Sequence, residues 1–407
     1  MRLIQVIKNF SWHFPKAIFW NFVYGFPSRN LKLIGVTGTD GKTTTVTLIH
    51  HLLVEAGLEA ELVSTVTSPG LHTTSPSSRI LQKTLSEFQK KGIKYVVLEV
   101  TAHGIDQFRF WGCHFSASLI TNITHEHLDD FNNLTTYTQT KFKLSSLSDI
   151  CFVNIDNPLI AQNLRFLKSP YKTFSIDSAS NFRASVVKTN VNGLSFKINK
   201  LLVTTDTPYY YQAYNILSAF CVSRHLGIDD QIFLKAINPF PAISGRREEI
   251  PNNYGIKCII DFAHTPQALE STLTALKKIY KGKIILIFGA TGGRDPSKRP
   301  IMGQVISRLA DHVILTTDDL RHEKLSDINR AIIAGFETNS NFTYQEAENR
   351  QLAFDLAITQ AKKGDIVLAC GKGHETTLLI GDTEYPWSEK EAFLLALKKR
   401  FESHHDT

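Results

Sequence analysis

Leu33-Ile34-Gly35-Val36-Thr37-Gly38-Thr39-Asp40-Gly41-Lys42-Thr43-Thr44-Thr45 is the stretch whose reading decides the fold. The apolar run 33–36 reads as a buried strand and the periodic segment 46–53 as the helix that follows it. Between them, Gly38 and Gly41 let the backbone curl until its N–H groups face one point. A helix beginning near Lys42 aims the positive end of its dipole at the same point. A phosphate suits that point. In this reading Thr37, Gly38, Thr39, Asp40, Gly41, Lys42, Thr43 and Thr44 form the cradle. Lys42 reaches the β/γ-phosphates and the Thr43 hydroxyl meets a magnesium ion. The spacing departs from the usual G-x-x-x-x-G-K-[ST] loop, and a glycine turn with a helix cap is the competing reading.

Outward from this loop, apolar runs alternate with helical patterns. Strands are predicted at 31–36, 95–99, 117–120 and 150–154, with helices beginning near Lys42, Ser77, Thr135 and Pro158. Such alternation predicts a parallel sheet covered on both faces. Around Asn192-Gly193, between 182 and 205, the pattern turns to a small antiparallel hairpin region, followed by helices over 211–226 and 230–236. Pro239, Pro241 and Ser244-Gly245 then break the periodicity. Alternation resumes with strands at 256–261, 283–288, 312–316 and 366–369. The expected class is α/β, in three parts: an aromatic basic arm (1–30), a P-loop-type ATPase domain (31–243) and a Rossmann-like α/β domain (244–407).

Composition sets limits. A length of 407 residues exceeds one core. The five cysteines stand far apart without a C-x-x-C pair, which fits neither a disulfide framework nor a zinc ribbon and predicts a reducing cytoplasm. The net charge of +7 is concentrated at the start, where Arg2, Lys8, Lys16, Arg29 and Lys32 precede the first acid, Asp40. No long basic run follows, so nucleic acid is not the expected partner. The segment 3–26 is rich in Ile, Phe, Trp and Tyr, but Pro15 and scattered polar residues rule out a spanning helix or signal peptide. It is either a helical arm packed on the body or an interfacial segment (1–28) making peripheral contact with an anionic membrane face.

Two further clusters carry chemistry. Glu99, in Glu99-Val100-Thr101-Ala102-His103-Gly104, ends a predicted buried strand and is placed to share a magnesium ion with Thr43 and phosphates. Thr121-Asn122-Ile123-Thr124-His125-Glu126-His127-Leu128-Asp129 follows the next strand. It is open to a metal-related or a structural reading, without the third histidine or thiol of a zinc set.

Together these motifs resemble the Mur ligase superfamily of ATP-dependent amide-forming enzymes, and most of all its branch that adds the third residue of the peptidoglycan stem peptide. The loop differs from the family's by Asp40 for asparagine, and Glu126 replaces an aspartate. Tyr137-Thr138-Gln139-Thr140-Lys141 is similar to the segment whose lysine is carbamylated. So are Tyr214-Asn215 to an adenine-side element, Gly245-Arg246 to the domain-junction arginine motif and Asp261-Phe262-Ala263-His264-Thr265-Pro266 to D-Y-A-H-T-P. The run from Gly289 to Gly303 and Gly371-Lys372-Gly373-His374-Glu375 complete the match.

The resemblance implies ATP between the domains, two magnesium ions and an acyl-phosphate intermediate. ATP would be held by residues 37–44 with Asn215 and Arg246, and metal by Thr43, Glu99, His127 and Lys141 as its carbamate. It gives catalytic roles to Lys42, Glu99, His127, Lys141 and Arg246. His264 either contributes on the nucleotide or acyl-phosphate side or is an ordinary capping histidine. Thr73, Thr74, Thr101, Gln107 and Arg109 would contact a muramoyl-peptide acceptor. Arg299, Asp318, Asp319, Arg321, Gly371 and Glu375 would contact the incoming amino acid.

Thr317-Asp318-Asp319-Leu320-Arg321 departs from the D-N-P-R of diaminopimelate-adding members, which leaves L-lysine or another diamino acid open. The family's uridine-diphosphate-gripping N-terminal domain has no counterpart in the match, so the acceptor is expected to be held without its nucleotide or through another route. The enzyme is expected to act as a monomer on a small-molecule or peptide acceptor. A folylpolyglutamate or poly-γ-glutamate type ligase and a non-catalytic nucleotide-binding regulator are the alternatives.

Overall fold

The computed structural model describes residues 2–67, 75–124, 131, 133–337 and 342–402. The chain forms two compact units, Met1–Pro241 and Ala242–Thr407.

In the first unit, helices α1 (Arg2–Lys8) and α2 (Phe14–Tyr24) flank a π-helical turn (Asn9–His13). The core alternation follows: β1 (Lys32–Thr37), α3 (Lys42–Glu55), β2 (Ala60–Val63), α4 (Ser78–Lys90), β3 (Tyr95–Glu99), α5 (Ala102–Asp106), β4 (Phe115–Ile120), α6 (Leu134–Phe142), β5 (Cys151–Asn154), α7 (Pro158–Ala161) and β6 (Tyr171–Ser175). Strands β7 (Phe182–Asn190), β8 (Gly193–Ile198) and β9 (Leu201–Thr205) precede helices α8 (Gln212–Leu226) and α9 (Asp230–Ile237). The nine strands form one sheet in the order β2-β3-β1-β4-β5-β6-β7-β8-β9. Pairing is parallel as far as β7 and antiparallel beyond it. The antiparallel hairpin region expected over 182–205 is formed by β7, β8 and β9, and the pairing of Phe174 with Phe182 joins it to the main sheet.

Side chains alternate across a strand, so β1 feeds two cores. Ile34 and Val36 pack with α3 and α8 residues such as Leu52 and Phe220, whereas Leu33 packs with Leu81 and Leu85 of α4. Burying each such side chain contributes roughly 1.5–3 kcal/mol. A strand buried on both faces has to be apolar throughout, which is why it was readable.

The order β3-β1-β4 makes β1 the point where the chain reverses direction across the sheet. Loops leaving the carboxyl ends of β1, β3 and β4 diverge there and leave a crevice. Residues 38–41, Val100-Thr101 and 121–124 are those loops.

The second unit holds β10 (Arg246–Ile250), β11 (Lys257–Asp261), α10 (Pro266–Ile279), β12 (Ile284–Phe288), α11 (Lys298–Leu309), β13 (His312–Leu315), α12 (Leu325–Ile333), β14 (Thr343–Glu346), α13 (Arg350–Gln360) and β15 (Ile366–Cys370). A hairpin, β16 (Thr377–Ile380) and β17 (Thr383–Pro386), and helix α14 (Glu389–Phe401) complete it. The sheet order is β10-β11-β15-β12-β13-β14, parallel except for the antiparallel edge β10. The strands not predicted from sequence include β2, β10 and β14, each pairing with one neighbour only. An edge strand keeps polar residues that blur an apolar run, as Glu61, Glu248 and Gln345 do.

Candidate active site

The phosphate loop is built from its backbone. Gly41 takes φ 79°, a left-handed conformation costly for other residues, and ends the turn so that α3 starts at Lys42 with no side-chain cap. The amino end of α3 opens onto this turn, and a helix amino end favours an anion. Gly38 has no room for a side chain, since a Cβ would lie 1.9 Å from Thr121 Oγ1.

Thr121 and Asn122 act as a clamp whose role the sequence did not reveal. Asn122 Oδ1 accepts from the N–H groups of Thr39 (3.1 Å) and Asp40 (2.8 Å), and its Nδ2 donates to Asp40 O (3.1 Å). The Thr121 hydroxyl also donates to Asp40 O, at 2.9 Å. These bonds tie the loop after β1 to the loop after β4. Asn122→Ala removes the amide's bonds while leaving the core alone. Each of the three is worth ~0.5–1.5 kcal/mol; with about 1.4–2 kcal/mol of their sum expressed in binding, nucleotide affinity should fall roughly 10- to 30-fold. Isothermal titration with ADP measures this, and unchanged affinity would show the clamp is idle.

Glu99, 1% exposed at the end of β3, accepts from the Thr43 hydroxyl at 2.7 Å. Its other oxygen takes the N–H (2.8 Å) and hydroxyl (3.1 Å) of Thr65. Lys42 Nζ donates to Gly38 O (2.9 Å) and Thr39 O (2.6 Å). Lys141, on α6 and 2% exposed, donates to the same Gly38 O at 2.7 Å, its Nζ 4.5 Å from the centre of the Tyr137 ring. Two lysines from distant parts of the chain thus meet at one loop carbonyl. Thr37 and Thr44 are buried beside the loop.

Asn215, expected on the adenine side, stands against the loop itself. Its Oδ1 would lie 2.8 Å from a Cβ on Gly41 and accepts from the Thr45 hydroxyl at 3.2 Å, while its Nδ2 donates to Gln212 at 2.6 Å. Thr101, expected at the acceptor, caps α5: its hydroxyl accepts from Gly104 N and donates to Ser75 Oγ, each at 3.0 Å. Arg109 donates to Gln107 Oε1 (2.7 Å from Nη2) and to the Ser75 carbonyl. Those two predicted acceptor residues are together. Thr73, Thr74 and His127 lie outside the described residues.

The second unit brings its own predicted residues to the carboxyl ends of β11, β12, β13 and β15. Arg246 stacks over Phe262 with 4.3 Å from guanidinium carbon to ring centre, and Phe262 packs edge-on against His264 and tilted against His374. Gly245 fits only as glycine, with a Cβ 2.0 Å from His374 N. Burial, helped by Arg246, Lys372 and His264, pushes the His374 imidazole down to about 3, so it is neutral near pH 7.

Lys372 is buried between Asp319 (2.8 Å) and Glu375 (2.5 Å). Burial holds the Glu375 carboxyl above its ordinary range against the pull of Lys372. Asp318 accepts from the Thr291 hydroxyl at 3.2 Å and packs against Gly371.

Arg299, expected at the amino acid, has a carboxylate partner within the chain. It forms a two-bond pair with Glu323 (2.8 and 3.0 Å). Arg321, at φ 51°, keeps a buried Nε with no hydrogen-bond partner among the described residues. Arg350 was not singled out in the sequence, since its partner Glu389 stands 39 residues away. Fully buried, it pairs with Glu389 and donates to the carbonyls of Thr317 and Cys370, both at 2.9 Å, pinning the strand ends from which the 318–321 and 371–375 loops depart.

A parallel sheet with a glycine cradle at its switch point defines a nucleotide-binding α/β enzyme. Comparison with known proteins gives the family. The Mur ligase middle domain matches residues 36–223, and the Mur ligase glutamate ligase domain matches 245–373. The UDP-N-acetylmuramoyl-L-alanyl-D-glutamate–2,6-diaminopimelate ligase of Thermosynechococcus vestitus is 35% identical over 396 residues, covering 93% of this chain and 79% of that protein. A solved structure with the same enzyme name is 25% identical with a TM-score of 0.62, covering 92% of this chain and 79% of that one. The Thermotoga maritima MurF ligase solved with ADP shares the fold at a TM-score of 0.71 and 19% identity, covering 95% and 84%. The chain belongs to the Mur ligases, ATP-dependent enzymes that form carbon–nitrogen bonds. Its relatives of the diaminopimelate type serve peptidoglycan synthesis.

Proposed function

We propose that this protein joins the carboxylate of a UDP- or lipid-linked muramoyl-peptide acceptor to an amino acid, a diamino acid by its loop chemistry, at the expense of ATP. The observation that carries the reading is the meeting of Lys42 and Lys141 at Gly38 O beside the Thr43–Glu99 pair. Cationic side chains beside the amino end of a helix favour bound phosphate, which supports the reading.

In the first step an acceptor carboxylate oxygen attacks the γ-phosphorus and ADP departs. In the second, the amine nitrogen attacks the acyl carbon, loses a proton, and phosphate leaves. Lys42 holds the phosphate charge, and Arg246 and His264 serve the nucleotide or acyl phosphate. Gln107 and Arg109 serve the acceptor. Arg321, with its unpartnered Nε, receives an amino-acid carboxylate, while Asp318, Asp319 and Glu375 face its ammonium groups.

Magnesium fits the donor set: the Thr43 hydroxyl and Glu99 carboxylate are hard oxygens 2.7 Å apart, and phosphate and water would complete the shell. When bound, it offsets phosphate charge. Among the described residues no group of three His, Cys, Asp or Glu is placed to hold an ion without such help. A second ion would rest on His127 and on Lys141, whose amine takes up CO₂ to become a carbamate and releases a proton. The enzyme acts as a monomer in the cytoplasm, with peripheral membrane contact through residues 1–28.

Phosphate release tests the reading, with muramoyl-dipeptide acceptors carrying or lacking UDP and with diaminopimelate, lysine and ornithine as amines. The expected result is ADP formation that requires acceptor and amine together. ADP formation indifferent to either would defeat it.

A further inference from the structure

The N-terminal helices are amphipathic in the inverted sense. The face they turn to the body holds small and polar residues beside Phe14: Ala17 and Asn21 are 0% exposed and Asn9 is buried. Polar bonds fix that face, Asn9 Nδ2 to Asp106 at 2.7 Å, Asn21 Nδ2 to Trp111 O at 2.7 Å and Ser28 Oγ to Gly112 O at 3.0 Å. The outward face holds the large apolar side chains. Val6, Ile7 and Phe10 form one i, i+1, i+4 group, and Phe19, Phe22 and Val23 form another with Trp12 between them. Phe22 is 69% exposed and Trp12 55%.

A surface helix ordinarily does the opposite, and a contiguous apolar patch on a folded protein marks a contact site. Phe14 does pack inward, on Phe108 and Trp111, so the arm is anchored.

The charges on the arm itself have one sign, although Asp106 lies beside Asn9. Lys8, Lys16 and Arg29 border the patch, no acidic residue precedes Asp40, and Lys16 Nζ lies 3.9 Å from the centre of the Trp12 ring. Arg79 of α4 covers Trp20 from the neighbouring surface. Long cationic side chains lying over aromatic rings suit the boundary between anionic headgroups and acyl chains. Among the described residues no helix is long and apolar enough to cross a membrane, so the contact is one of lying on the surface.

We infer that the outward face of residues 6–23 is a docking surface for an anionic lipid bilayer. This names the partner of the peripheral contact in the proposed ligase. Vesicle binding is read separately from phosphate release, so either reading can fail alone. Because the arm is bonded to Asp106 and Trp111, on either side of Gln107 and Arg109, docking would hold the proposed acceptor residues next to the bilayer.

The test is co-sedimentation of the full chain with vesicles of phosphatidylcholine alone or mixed with phosphatidylglycerol, at low and high salt. Wild type should bind the anionic vesicles, weaken as salt rises, and lose about tenfold in affinity in the Phe19→Ser/Phe22→Ser and Lys8→Glu/Lys16→Glu variants. Both variants alter exposed side chains and should keep the wild-type melting temperature. Three results would each overturn the inference: no binding to anionic vesicles, equal binding to neutral ones, or undiminished binding by both variants. A dimer in analytical ultracentrifugation that Phe19→Ser/Phe22→Ser abolishes would assign the face to a second copy instead.

Discussion

Lys42→Met is expected to lower the rate of ATP-dependent phosphate release by about 10³-fold, roughly 4 kcal/mol of transition-state stabilisation, while the protein stays folded. The ammonium has three donors, and two of them already bind the Gly38 and Thr39 carbonyls. Those bonds hold Nζ over the loop and leave its charge and remaining donor for a phosphate. Methionine keeps the length and loses both. Because Lys42 is only half-buried at the first residue of α3, the stability change should stay within about 1 kcal/mol. Initial rates beside a thermal melt separate the two effects. A loss below tenfold with an intact melt would remove Lys42 from the chemistry.

Lys141→Ala is the second large expectation, about 10²- to 10³-fold in rate on the scale of removing one charge-stabilising group. Here the charge at stake is that of the proposed carbamate. Alanine leaves a cavity beside Tyr137 and Gly38, into which formate or acetate should diffuse and restore part of the rate. A readout independent of turnover is available: with ¹³C-labelled CO₂, wild type should give a carbamate carbon resonance that the variant lacks. Full activity in Lys141→Ala, or identical spectra, would dismiss the carbamate and leave Lys141 as a loop support.

The strands buried on two faces were the legible ones. Tyr95–Glu99 and the apolar runs around Ile34, Leu119 and Leu286 have no polar outward side, so hydrophobicity alone marks them. Edge strands were not legible, because only half their surface is constrained. Site residues divide along a similar line. Lys42, Thr43 and Glu99 could be read because a phosphate loop and a strand-end carboxylate are local patterns. The pairing of Arg299 with Glu323 was not legible, because the two stand 24 residues apart and nothing local announces the pair. Thr101 and Asn215 carried family roles, yet their hydrogen bonds here support a helix cap and the phosphate loop.

By itself the sequence determined that a strand, a glycine turn and a helix follow one another at 33–53. Two α/β units and a chain of motifs at strand ends were also readable from it. Chain-local geometry suffices for that, since periodicity and glycine placement act over a few residues. The tertiary structure alone decided that β1 lies between β3 and β4, which brings Glu99, Thr121 and Asn122 to the same loop. It also decided that Lys141 reaches Gly38 across 103 positions of sequence, and that the arm turns its aromatic face outward. Those outcomes depend on which surfaces pack against each other, a choice made by the whole core at once.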